Sequence, residues 1–131
     1  MCLLYSEPSA GSDLAGVRTT AVLDGTEYVV DGQKVWTSNA AGADYGMLLA
    51  RTDAAAPKHR GLSFFFLPMD QPGVEVRPLR QITGEAHFNE VFLTGARVSA
   101  ANVLGGPGQG WRVLLTALAY ERVALGQTNL G

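Results

Sequence analysis

Two short segments hold the residues whose types and spacing could do chemistry. The first, Ser6-Glu7-Pro8-Ser9-Ala10-Gly11-Ser12-Asp13, is a run of hydroxyl and small residues with two acids. The second, Lys34-Val35-Trp36-Thr37-Ser38-Asn39, sets a tryptophan beside small hydroxyl residues just after an Asp-Gly pair. Small residues let a ligand come close to the backbone, hydroxyls donate or accept hydrogen bonds, and an indole offers a flat apolar wall. The combination suits a planar, polar-edged heterocycle better than a metal or a nucleic-acid backbone. Other candidates read more plainly. His59 sits in a polar loop and His87 beside a strand, without a second ligand at metal-binding spacing, so no metal site is expected. Cys2 has no His or basic neighbour to activate it and reads as packing. Glu7 and Asp13 could form an acid pair, but Glu7 orienting the loop backbone and Asp13 capping a turn is the better reading. Arg51, Lys58, His59 and Arg60 could meet a phosphate or simply face water.

A framework of short strands has to position these segments. Residues 17–23 read as a strand closed by the turn signal Asp24-Gly25, and 28–30 as its hairpin partner. Asp31-Gly32 reads as another turn, followed by a third strand at 35–37. Further strands are expected at 45–52, 62–69 and 88–93, with alternation at 74–76 and a surface loop at 54–61. The run Phe64-Phe65-Phe66 reads as core. From Gly110 the period changes: Trp111, Leu114, Leu115, Leu118 and Leu125 fall at helical spacing after a glycine-rich lead. The expected fold is therefore mainly β, an antiparallel, barrel-like domain of about seven or eight strands with one C-terminal α-helix. Little chain is left to cover the helix's apolar side, which would mark an interaction surface or a missing neighbour.

Bulk properties narrow the function classes. The 131 residues are 47% hydrophobic and 17% charged, which describes a folded chain, and sixteen glycines suit a turn-rich β architecture. A net charge of -2 without a basic run argues against nucleic acid. No apolar stretch approaches the roughly 20 residues of a membrane span, and Met1-Cys2-Leu3-Leu4-Tyr5 lacks the basic region of a signal peptide. The single Cys2 excludes an internal disulfide and fits a reducing cytoplasm, the expected location.

Read together, the two segments resemble the middle domain of acyl-CoA dehydrogenases. Further stretches match that family in the same order: Leu48-Leu49-Ala50-Arg51-Thr52-Asp53, Pro72-Gly73-Val74, Phe88-Asn89-Glu90-Val91-Phe92 and Gly108-Gln109-Gly110-Trp111. Tyr120-Glu121-Arg122-Val123 is similar to the start of the family's C-terminal helical bundle. Ser6 stands where threonine is usual and keeps the hydroxyl; Ser99 stands where proline is common. The resemblance implies a β-domain over 1–107 that binds FAD and acyl-CoA, and over 108–131 the first helix of a truncated C-terminal helical domain.

By the same resemblance, Leu3, Leu4, Tyr5, Ser6, Gly11, Ser12, Trp36, Thr37 and Ser38 would contact the cofactor, FAD. Ser6 would lie near the pyrimidine edge of the ring, Trp36 against the isoalloxazine, and Ser38 near N5. Ser12, Tyr120, Glu121 and Arg122 would contact the substrate, an acyl-CoA. The implied reaction is α,β-dehydrogenation of the thioester to the trans-2-enoyl-CoA, as in β-oxidation of fatty acids: a carboxylate removes the α-proton while the β-hydrogen leaves as hydride to the flavin. Glu121, directly before Arg122, matches the position of the base in some branches of the family; in others the base lies beyond residue 131. Electron-transfer flavoprotein or another acceptor would reoxidise the flavin, and a full-length relative would be a homo-oligomer. The alternatives are an acyl-CoA oxidase or flavin monooxygenase on the same platform, or a non-catalytic truncated module. Alone, the chain is expected to retain FAD weakly or not at all and to show no turnover.

Overall fold

The structure, a computed structural model, describes residues 2–8, 16–38, 40–56, 59–78 and 88–119. Its strands in chain order are β1 (Cys2–Leu4), β2 (Thr20–Asp24), β3 (Glu27–Ser38), β4 (Tyr45–Arg51), β5 (Leu62–Pro68), β6 (Val74–Pro78), β7 (Phe88–Ser99) and β8 (Val103–Leu104). Residues 110–119 form a helix, α1. The strands make one sheet in the order β6-β7-β3-β2-β4-β5-β8, with β1 attached to β4. The mainly β fold with one C-terminal helix is the expected one. The sheet is mixed rather than purely antiparallel, because β1 and β2 both pair with β4 in parallel, and its path is open.

The β2–β3 hairpin follows from its turn residues. Asp24 pairs with Glu27 across Gly25-Thr26, and Gly25 takes the left-handed φ of 68° that a tight hairpin loop demands. Asp31-Gly32 does not turn the chain. β3 runs straight through it, with a register shift against β7 between Val30 and Gly32. Both flanks of the dipeptide alternate and find partners on β7, so pairing overrides the local turn preference and leaves a bulge. The Asp31 carboxylate accepts a hydrogen bond from the Gly95 amide at 2.8 Å, where β7 itself bends with a φ of 64°. That support carries β7 on to Ser99, six residues past its expected end at Leu93. The first expected strand, in contrast, starts at Thr20 rather than Val17.

The sheet curls around one core. Leu48, Phe65 and Leu67 from β4 and β5 share a cluster with Val30, Val91 and Val98 from β3 and β7, and the Tyr28 and Phe65 rings meet edge-on at 5.1 Å. The alternate residues of β4 and β5 form a second cluster on the outer face, where Tyr5, Val17, Leu49, Leu62 and Phe64 surround Leu114 of α1. Within the described residues the apolar side of α1 is covered by the sheet, with Leu114 buried and Trp111 and Leu118 packed against the same cluster, while Leu115 remains exposed; Leu125 lies outside the described residues. Two contacts seat the start of α1. The Gly108 amide donates to Ser63 Oγ at 2.9 Å, and the Gly110 backbone lies so close to Ser63 that an added Cβ would stand 2.6 Å from its Cα. Of the phenylalanine run, Phe65 faces inward, Phe64 faces the helix, and half-buried Phe66 stacks on Tyr45 at 4.5 Å. Among the described residues no helix is long and apolar enough to cross a membrane, and no group of His, Cys, Asp and Glu could hold a metal ion.

Candidate functional site

The chain leaves β1 at Leu4 and runs along β3. The Val35 amide donates to the Ser6 carbonyl at 2.9 Å, so the first candidate segment lies beside the second although 29 positions separate Ser6 from Val35. A ring-sized ligand bridging the two segments needs this adjacency. Leu3 is exposed and Ser6 half-buried, whereas Tyr5 is buried in the outer cluster and Leu4 in the inner one. The Leu4 side chain therefore faces core, and its contribution to a ligand surface would come from the backbone. Trp36, Thr37 and Ser38 form the end of β3, beyond a second register shift between Lys34 and Thr37. Asn89 holds that end in place, its Nδ2 donating to the Thr37 carbonyl at 3.1 Å. Thr37 is buried and its Oγ1 has no hydrogen-bond partner. A dry, unpaired hydroxyl costs about 1–3 kcal/mol, so it is a place where a polar-edged ligand gains by binding.

Beneath this edge lie two buried charges. The Lys34 ammonium donates to Glu7 Oε2 at 2.9 Å, to the Tyr5 carbonyl at 3.2 Å and to the Leu49 carbonyl at 2.8 Å. Glu7 in turn accepts from the Arg18 amide at 2.6 Å, the Thr19 amide at 3.0 Å and the Thr19 hydroxyl. Burial pushes the Glu7 carboxyl up, but the Lys34 charge and the hydrogen bonds from Thr19 and Arg18 outweigh it and hold the group below its ordinary value. Burial likewise pulls Lys34 down to about 8, against the opposing pull of Glu7. The carboxylate thus holds the backbone at Arg18 and Thr19, while Asp13, the other acid of the segment, lies outside the described residues. The role of Lys34 was missed. Its signal was a lysine directly ahead of the apolar pair Val35-Trp36, where a buried ammonium would need an acid partner elsewhere.

The basic loop divides. Arg51 Nε donates to the Val17 carbonyl at 3.0 Å, a structural contact. His59 and Arg60 instead line a cavity of about 400 Å³ with Gly108, Trp111 and Arg112, and the His59 and Trp111 rings meet at 4.6 Å. Gly11, Ser12, Lys58, Tyr120, Glu121 and Arg122 lie outside the described residues.

Comparison with known proteins places the chain by sequence and fold. Residues 2–96 match the family described as acyl-CoA dehydrogenase, middle domain. Acyl-CoA dehydrogenase IpdE1 of Mycobacterium tuberculosis is 54% identical over 130 residues, 99% of this chain and 33% of that protein. A solved structure of the Tcur3481-Tcur3483 steroid ACAD superposes with a TM-score of 0.88 at 41% identity, covering 95% of this chain and 32% of that one. The ChsE4-ChsE5 complex from Mycobacterium tuberculosis gives 0.82 at 41% identity, over 90% of this chain and 30% of that one. The chain thus spans about a third of the length of the relatives it matches.

Proposed function

Since this chain belongs to the acyl-CoA dehydrogenase family and corresponds to its middle domain, we propose that it forms the FAD- and substrate-binding face of an enzyme that dehydrogenates an acyl-CoA thioester to its trans-2-enoyl-CoA. The observation that carries this reading is the edge formed where Ser6 is bonded to Val35, next to the unpartnered, buried hydroxyl of Thr37. The residues present fit a flavin ring. They offer exposed Leu3 as an apolar contact, Ser6 as a polar one, and a dry hydroxyl that needs a partner. FAD, when bound, supplies the acceptor for two electrons and a hydrogen. The chain holds and orients it, with the contacts assigned to Leu3, Leu4, Tyr5, Ser6, Gly11, Ser12, Trp36, Thr37 and Ser38, those of Leu4 through its backbone.

On the substrate side we assign Ser12, Tyr120, Glu121 and Arg122, with Glu121 taking the α-proton. The cavity of His59, Arg60, Trp111 and Arg112 suits the phosphate-bearing end of the CoA, because its cations are exposed to meet an anion and its indole can cover an apolar surface. The two relatives with solved structures are named as pairs of chains, and this fits action within an oligomer; electron-transfer flavoprotein or a similar carrier would take the electrons, in the cytoplasm.

A flavin titration followed by visible absorbance tests the reading. The contacts assigned here are to the flavin ring, so riboflavin and FAD should perturb the flavin band with affinities within a few-fold of each other. Thr37→Val, which keeps shape and removes the hydroxyl, should weaken both by about tenfold, the loss of one buried hydrogen bond. No perturbation by either flavin at millimolar concentration, in a chain folded by circular dichroism, would overturn the claim that this chain forms the ring platform by itself.

A further inference from the structure

Among the described residues, Glu7 and Lys34 are the charged side chains buried in the core. A buried ion pair is seldom there for stability, since apolar residues of similar volume commonly serve the fold as well or better. What an apolar pair cannot supply is direction. Lys34 Nζ has three N–H donors, and they go to three carbonyl or carboxylate oxygens, on Tyr5, Glu7 and Leu49. One ammonium on β3 thereby pins both the Tyr5–Glu7 stretch and β4. The Glu7 carboxylate then captures the chain as it returns, through Arg18 and Thr19, and Arg51 of β4 closes the circuit by donating its amide to the Thr19 carbonyl at 2.7 Å. The segment between Glu7 and Arg18, which includes Gly11 and Ser12, begins and ends at this one pair.

We propose that Glu7 and Lys34 are positioning residues for the ring-binding edge: the pair sets the register between Ser6 and Val35 and so aligns Ser6 with Thr37, without touching the ligand. The inference rests on the platform reading above. It predicts that geometry and stability can be separated. Glu7→Gln and Lys34→Met each leave a buried partner uncompensated and should lower the melting temperature sharply. The double variant Glu7→Gln/Lys34→Met removes both charges and should recover most of that loss. Its methionine cannot bond the Tyr5 or Leu49 carbonyls, however, and the Tyr5–Glu7 stretch should stay unpinned from β3.

The test compares melting temperature, flavin affinity by visible absorbance and amide hydrogen exchange at Val35 in wild type, both single variants and the double variant. The expected result is a double variant near wild type in melting temperature, with flavin binding at least tenfold weaker and Val35 exchange at least tenfold faster, while Val29 and Val91 amides remain protected. Recovery of flavin affinity and Val35 protection together with stability would overturn the proposal and leave the pair a structural feature. If wild type binds no flavin, the platform reading fails by itself. Exchange at Val35 then decides alone: unchanged protection in the double variant refutes the clamp, and selective loss supports it. Should even the double variant not fold, the milder Glu7→Asp decides by the same comparison of Val35 with Val29 and Val91: faster exchange confined to Val35 supports the clamp, and equal protection at all three refutes it.

Discussion

Leu114 is the residue on which the union of helix and sheet depends. It is fully buried, among Tyr5, Val17, Leu49, Leu62 and Phe64, and it is the buried member that α1 contributes to that cluster. Leu114→Ala removes three carbons, worth about 2.4 kcal/mol of transfer at roughly 0.8 kcal/mol each, before the cavity left behind is added. The sheet under it is held by strand pairing and cannot collapse to fill the gap, so the total should be about 3–4 kcal/mol. For a domain of this size that corresponds to a fall of about 10–15 °C in melting temperature. Leu115, the next residue, is 51% exposed, and Leu115→Ala should stay within about 0.5 kcal/mol of wild type. Urea and thermal denaturation followed by far-ultraviolet circular dichroism measure both. If the two variants lost equal, small amounts of stability, the helix would not be docked as described, and the change of pattern at Gly110 would be a boundary of stability as well as of sequence.

Other outcomes follow from particular contacts. Gly110→Ala should cost about 1–3 kcal/mol, because the new Cβ would meet the Ser63 backbone at 2.6 Å; a melting temperature equal to wild type would show that α1 can shift to admit it. Stability should vary with pH on both sides of neutrality. The folded-state value of Glu7 is lowered, so its contribution is complete above about 4.5 and is lost as pH falls through the folded value. Lys34 titrates at about 8 in the fold and near 10.5 when unfolded, so the unfolded chain binds more protons between those values and the fold gains stability as pH rises across them. Urea denaturation at pH 8 and 10.5 should show that gain in wild type and not in Lys34→Met. If the cavity of His59, Arg60, Trp111 and Arg112 takes the CoA phosphates as proposed, Arg60→Ala and Arg112→Ala should each weaken acyl-CoA binding about two- to fivefold, less at high salt, as expected of exposed charge contacts; salt-independent losses in calorimetry would place the phosphate elsewhere.

How much of this was legible beforehand can be read from individual residues. β4, β5 and the hairpin at Gly25 announce themselves, because short apolar runs and an Asp-Gly turn signal are local properties of the chain. The two candidate segments were equally visible, since hydroxyl and small residues around a tryptophan are a matter of composition and order. Three features were settled only by packing. Asp31-Gly32 is locally a turn, and only β7 alongside made it a bulge. The apolar side of α1 looked unsatisfied until the curl of the sheet exposed an outer face of Leu49, Leu62 and Phe64 for Leu114 to cover. Glu7 was legible as an acid that orients backbone, but its partner Lys34, 27 positions away, was not; their pairing depends on which strands lie next to which, and that long-range choice is made by burial and hydrogen-bond completion across the whole sheet rather than by any neighbour in sequence.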